Sequence, residues 1–275
     1  MILGFAASSL FYTLLFKGPF TSPLMRRYFA THPVSYVATT MFFVGMATLI
    51  AKLINVVAQY HSLDSISLGE PAPGGTGVSH CQKLLSQLQQ LPQRTRESYL
   101  GMRLSNILEL IRRKGTADGL DEDLKYLSDL DQGRQQESYA FARIIIWATP
   151  MLGFLGTVIG ITQALGNLDP VELANSIQTA MQKLLDGLYV AFDTTALALS
   201  LSIVLMFVQF LIDQIESQLL SKVDDRTNQE LLGRFPQWGT QTDPYVASVQ
   251  KMCQEVIQTS EQLVAQQTTL WQDTV

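Results

Sequence analysis

Two stretches of this sequence carry hydroxyls and glycines inside apolar runs too long for a soluble helix. In the first, Thr149-Pro150-Met151-Leu152-Gly153-Phe154-Leu155-Gly156-Thr157-Val158-Ile159-Gly160, the residues Gly153, Gly156, Thr157 and Gly160 recur at three-and-four spacing and fall on one side of a helix. In the second, Gly187, Ala191, Thr194, Thr195, Ala198 and Ser202 do the same. Sides this smooth and faintly polar either admit another helix at close range or line a narrow hydrated passage, where hydroxyls relay a charge or grip a partner helix bearing an ionisable group. The plainer reading of Thr157 and Thr195 is that each hydroxyl bonds its own backbone and packs against a neighbour.

Asp193 stands beside the second stripe, and a carboxylate inside a span is a functional candidate by default. It lies two positions from Thr195, about 200° around the helix, so it cannot share that side. It reads either as a proton-handling group or as one end of a structural hydrogen bond or inter-subunit contact near the outer water layer. Asp186, one heptad earlier, is expected in solvent. Pro150 reads as a kink, because its missing N–H frees a carbonyl for a polar neighbour or water.

The elements that must position these residues are membrane spans. A bilayer core of about 30 Å needs about 20 apolar residues, and three segments have that length: Val34 to Val57, Ile144 to Leu165 and Gly187 to Ile212. If the second rises from the inner edge and the third descends from the outer edge, Thr157 lies about 21 Å above the first edge and Thr195 about 13 Å below the other. The two depths nearly coincide. Met1 to Phe16 is also apolar but shorter, and Lys17-Gly18-Pro19 stops it; it lacks the features of a signal peptide and reads as an interfacial helix or a short extra span.

Composition agrees with a membrane protein that has sizeable water-exposed parts: 275 residues, 47% hydrophobic, 16% charged, with a mean hydropathy of +0.15. A net charge of −5 with scattered basic residues argues against nucleic acid. Cys81 and Cys253 are expected in water-exposed helices without CxxC or metal-ligand spacing, and His32, His61 and His80 on the surface. With no nucleophile elbow or phosphate loop, neither an enzyme nor a cofactor is expected.

The chain divides into an N-terminal apolar or interfacial segment (1–33), a span (34–57), a helical domain (58–143) with a Pro/Gly/Ser linker (65–79), a second span (144–165), a loop and helix (166–186), a third span (187–212) and a helical tail (213–275). Ser79 and Gln82 form a capping-box start for a helix bearing leucines at 84, 85, 88 and 91; a second helix runs from about Arg96 to Lys114 and ends at Gly115. A third begins near Leu120 and runs without a breaker into the second span. Asp169-Pro170-Val171-Glu172 should begin the helix leading into the third span, which continues past Asp213 and Glu216 until Gly233. After Pro236 and Asp243-Pro244, Val249, Met252, Val256, Leu263 and Leu270 fall roughly at heptad spacing, as in part of a coiled coil or an amphipathic surface helix. The loop between the last two spans holds Lys183 as its one basic residue, which places 58–143 and 213–275 in the cytoplasm, whereas Arg26 and Arg27 point the opposite way.

The run TPMLGFLGTVIGI in one span, followed by AFDTTALALSLS in the next, resembles the MotA/TolQ/ExbB proton-channel family. The resemblance covers about Phe141 to Ile212, and the N-terminal span and large segment before it match the TolQ/ExbB arrangement. It implies an all-α membrane protein of the bacterial inner membrane: three transmembrane helices with long helices extending into the cytoplasm, assembled as a pentameric ring. The ring would surround a single-span ExbD/TolR/MotB-like partner whose membrane aspartate carries the proton. By this resemblance Thr157 matches the threonine of the GTV motif and Thr195 that of the third-span motif. Pro150 matches the proline at the cytoplasmic side. The implied ion pathway is Thr157, Thr195 and Thr194, with Asp193 beside them; Gly153, Gly156, Gly160, Ala198 and Ser202 serve packing. Ala198 and Val204 depart from the glycine and proline often found in that span. Protons are favoured over sodium because no richer set of oxygen ligands accompanies the threonines. A non-conducting membrane scaffold is the alternative.

Overall fold

The computed structural model describes residues 2–18, 22–63, 65–69, 80–117, 119–166, 177–231, 234–235 and 252. Ser79, most of the 65–79 linker, the Asp169–Glu172 start signal, Gly233, Pro236, Asp243-Pro244, Cys253 and the tail positions 249, 256, 263 and 270 lie outside them. Among the described residues all regular structure is helical: α1 (Ile2–Lys17), α2 (Pro23–Ala30), α3 (Pro33–Leu63), α4 (Cys81–Gln89), α5 (Gln93–Arg96), α6 (Tyr99–Lys114), α7 (Leu120–Ser138), α8 (Ala140–Gly166) and α9 (Ile177–Leu231). Three helical stretches are long and apolar enough to cross a membrane: α3, α7 continued into α8, and α9. Tyr139 alone separates α7 from α8.

The apolar part is organised by α8 and α9, which run antiparallel. Their small residues let the backbones come close: a Cβ placed on Gly153 would lie 2.6 Å from Ala198 Cβ, one on Gly160 2.8 Å from Ala191 Cβ, and one on Gly187 2.4 Å from Ala164 Cβ. The stripes read from the sequence are therefore two halves of one seam, since dispersion without a hydrophobic driving force needs close backbone approach. The opposite sides, with Trp147, Met151, Phe154 and Val158 on α8 and Phe192, Ile203, Phe207 and Phe210 on α9, are exposed in the single chain.

α3 packs on this pair with an offset. Val34 meets Gly156 near the middle of α8, while Gly45 faces Ile145 and Leu205, so the second half of α3 extends beyond the start of α8. α1 lies lengthwise and antiparallel against α3: Gly4 abuts the Val44 backbone, and the Ser8 and Thr40 hydroxyls are 3.1 Å apart. His32 is buried, contrary to the surface position expected for it, and its Nδ1 accepts from the Val34 N–H at 3.3 Å. That bond satisfies an amide at the start of α3 that has no partner within the helix.

Beyond the apolar bundle, α4, α6, α7 and the end of α9 share a second core built from Leu84, Leu88, Leu104, Ile107, Leu108, Ile111, Leu219 and Val223. α6 is defined at both ends: the Ser98 side chain accepts from Gly101 N–H, and Gly115 adopts φ +74° while its N–H donates to Ile111 C=O. Cys81 was expected in water and instead lies in this core, because it falls on the same side of α4 as Leu84 and Leu88. Arg103 is buried here as well, donating to Asp131 Oδ2 from Nε (3.0 Å) and Nη2 (2.8 Å) and from Nη1 to Asp224, which also accepts from Ser128 Oγ at 2.9 Å.

Candidate functional site

The antiparallel register brings Thr157 and Thr195 side to side, and their hydroxyls are in direct hydrogen-bond contact. Both also reach the same two carbonyls. Thr195 Oγ1 is 3.0 Å from Gly153 O and 3.1 Å from Ala191 O; Thr157 Oγ1 is 3.3 Å and 3.4 Å from them. Two hydroxyl protons therefore face three kinds of acceptor, the other hydroxyl and two backbone oxygens. Rotating either hydroxyl exchanges one acceptor for another without moving a heavy atom. The conducting and the purely structural roles open at these positions use the same bonds.

The neighbouring residues divide by task. Thr194 is buried against Gly156 and donates to Ala191 C=O at 2.9 Å, so it belongs to the helix seam and not to the hydroxyl pair. Pro150 lies inside α8, and the carbonyl that its missing N–H leaves free is that of Ile146. Ser202 donates to this carbonyl at 2.9 Å from the facing helix. The proline, the serine and the small residues between them thus fix α8 and α9 in one register.

Asp193 points away from the hydroxyl pair. Arg27 of α2 holds it in a two-pronged ion pair, Nε to Oδ2 at 2.6 Å and Nη2 to Oδ1 at 3.2 Å, and the same guanidinium lies 5.4 Å from the Tyr189 ring centroid. The sequence carried one signal of this pairing: Arg26 and Arg27 stand where the loop-charge bias does not want them, within reach of an acid that needs a partner. The carboxylate is the more enclosed member, with 14% of its side chain exposed against 47% for the arginine. Arg27→Gln should therefore lower the thermal midpoint of the detergent-extracted protein more than Asp193→Asn, and the double variant should recover part of the loss; additive losses would mean that the pair contributes no coupling.

A second buried carboxylate escaped sequence reasoning. Glu216 of α9 is fully enclosed and accepts from Tyr99 OH and Tyr139 OH at 2.8 Å each, with Lys52 Nζ at 2.7 Å. Burial, reinforced by donation to Glu216, pushes both phenols well above the usual tyrosine range. Nothing near Glu216 in the sequence marks its partners, which lie 77 to 164 positions away. Among the described residues, no group of three His, Cys, Asp or Glu side chains could hold a metal ion.

Residues 97–224 match the family described as the MotA/TolQ/ExbB proton channel family. That range holds Thr157, Thr195, Asp193 and Glu216 but neither Arg27 nor Lys52. A relative described as a putative biopolymer transport protein ExbB homolog, from Methanothermobacter thermautotrophicus, is 37% identical over 102 residues, covering 35% of this chain and 30% of the relative. The chain thus spans less than a third of that relative's length. No solved structure matches the chain.

Proposed function

From the match of residues 97–224 to the MotA/TolQ/ExbB proton channel family we propose that the chain is a member of that family and the conducting subunit of a motor driven by the proton gradient. In this reading five copies form a ring in the bacterial inner membrane around a single-span ExbD/TolR/MotB-like partner with a membrane aspartate. The chain is then multi-pass, with the polar helices α4 to α7 and the far end of α9 in the cytoplasm, and the lengthwise packing of α1 on α3 supports a short extra span over an interfacial helix. The exposed apolar sides of α8 and α9 supply surface for lipid and for neighbouring copies.

The meeting of the Thr157 and Thr195 hydroxyls carries this reading. Two switchable donors at one height, in a largely apolar bundle, offer a proton arriving on a carboxylate a place to be handed on. Each charge that crosses 100 mV releases about 2.3 kcal/mol, available as work on whatever the ring is attached to. The alternative, a scaffold that recruits partners through its cytoplasmic helices, is favoured by the bonds from the same hydroxyls to Gly153 and Ala191.

Valine keeps the shape of threonine and removes the hydroxyl. Thr157→Val and Thr195→Val, each replacing the parent in its own cells, should reduce proton uptake by inverted membrane vesicles at least tenfold, on the scale of one lost relay group, while crosslinked oligomer size stays the same. Unchanged uptake in both variants would establish the scaffold instead.

A further inference from the structure

We propose that the buried Glu216 and its three donors form the joint through which movement of the apolar bundle reaches the polar helices, an inference that rests on the motor reading above. α9 is unbroken from Ile177 to Leu231, about 80 Å at 1.5 Å per residue. It carries the hydroxyl Thr195 midway along the apolar seam and Glu216 about 30 Å further along. Two of the other elements are interrupted at the same level, and α3 crosses it unbroken. α7 gives way to α8 at Tyr139, α6 starts at Tyr99, and α3 passes from the apolar core lined by Val44 and Leu49 to the polar-side core containing Val56. Glu216 ties both interruptions and the unbroken α3 to α9: Tyr99 from the first turn of α6, Tyr139 from the break itself, and Lys52 from α3.

The chemistry of the joint is suited to transmission and not only to adhesion. A buried ion pair is weak support for stability, since an apolar replacement of equal size often serves as well, but it specifies one relative placement of its members. Here one carboxylate accepts from two phenols and an ammonium, so a turn or shift of α9 must carry α6 and the α7–α8 break with it or leave a charge unsatisfied. Lys52 also has room to respond. Its Nζ lies 5.3 Å from the Tyr139 ring centroid, and the pair borders a cavity of about 150 Å³ lined by Thr48, Leu49, Ser138, Phe141 and Ala142. The ammonium can thus follow the carboxylate while remaining over the ring.

The test uses Tyr99→Phe and Tyr139→Phe, which delete one hydroxyl each and keep the packing, together with Glu216→Gln, which keeps an acceptor for the phenols and releases the lysine. Each variant replaces the parent in its own cells. Three quantities are read: proton uptake by inverted vesicles, the cellular trait that disappears when the whole chain is deleted, and amide hydrogen exchange of the purified full-length protein. The joint predicts uptake within twofold of the parent, at least a tenfold loss of the trait, and at least tenfold faster exchange in α6 and α7 with α8 unchanged. Uptake that falls in parallel with the trait would make these residues part of the ion path or of assembly and overturn the joint. A retained trait would overturn it equally. The exchange measurement does not depend on conduction, so failure of the channel reading, seen as full uptake by Thr157→Val, is distinguishable from failure of the joint.

Discussion

Gly156→Leu should yield no folded protein from membranes, and Gly156→Ala should yield a folded but weakened one. Gly156 sits where α8, α9 and α3 come closest: a single added Cβ would lie 2.6 Å from Thr194 Oγ1, 3.1 Å from Thr194 Cβ and 3.3 Å from Val34 Cγ1. Alanine can be admitted if the Thr194 hydroxyl gives way, at about 1–3 kcal/mol, the range for an overpacked core. Leucine adds three more carbons in a direction already closed by a second helix and a third, so α8 and α9 must part. The neighbouring contact between Thr157 and Thr195 parts with them. Thermal unfolding of detergent-extracted protein reads both effects. A leucine variant that melts at the parent temperature would show that the two helices do not pack along this seam.

Arg103→Met should remove about 3–5 kcal/mol from the polar helices, the range for losing one member of a buried ion pair. The guanidinium is buried and serves two acids from different helices, Asp131 on α7 and Asp224 on α9. Taking it away leaves both carboxylates facing each other, with Arg134 only 3.5 Å from the outer oxygen of Asp131 and Ser128 on Asp224 as compensation. Lysine in place of Arg103 retains the charge but not the fork that reaches both partners, so Arg103→Lys should recover only part of the loss. Arg103→Met combined with Asp131→Leu and Asp224→Leu should recover most of it, because no orphan charge then remains. Denaturant unfolding followed by helical circular dichroism measures the series. Equal stability of Arg103→Met and the parent would mean that the acids are solvated and the ion pairs superficial.

What the sequence made legible follows from range. Long apolar runs announce membrane-capable helices by themselves, and Gly115 marked the end of α6, whose start was read at about Arg96 and lies at Tyr99. The two small-residue stripes were visible for the same reason, since a helix shows its sides at spacings of three and four. The partners of the charged groups were not visible. Arg27 and Asp193 are separated by 166 positions, and Tyr99 and Glu216 by 117; Asp193 stood out as a carboxylate in a span and Arg27 as a charge against the loop bias, but no local pattern joins either pair until the helices are placed. Lys52 was overlooked because the run from Val34 to Val57 is apolar enough to absorb one charge. His32 and Cys81 were assigned to the surface by their chemistry, whereas their helix positions, beside Val34 and in line with Leu84 and Leu88, put them inside.

The bond from Ser202 to the carbonyl below Pro150 limits how this assembly can change shape. A proline kink usually leaves its bare oxygen to water, which follows the helix wherever it turns. Here the oxygen is satisfied from the facing helix, and losing that bond in a dry setting would cost about 1–3 kcal/mol at the same moment as glycine and alanine lost their fit. Sliding or twisting within the hairpin of α8 and α9 is therefore the expensive motion, and a stroke that leaves the hairpin intact is the cheap one. On the motor reading proposed above, working displacements should occur at its outer boundaries, and the hairpin should travel through a cycle as one solid part.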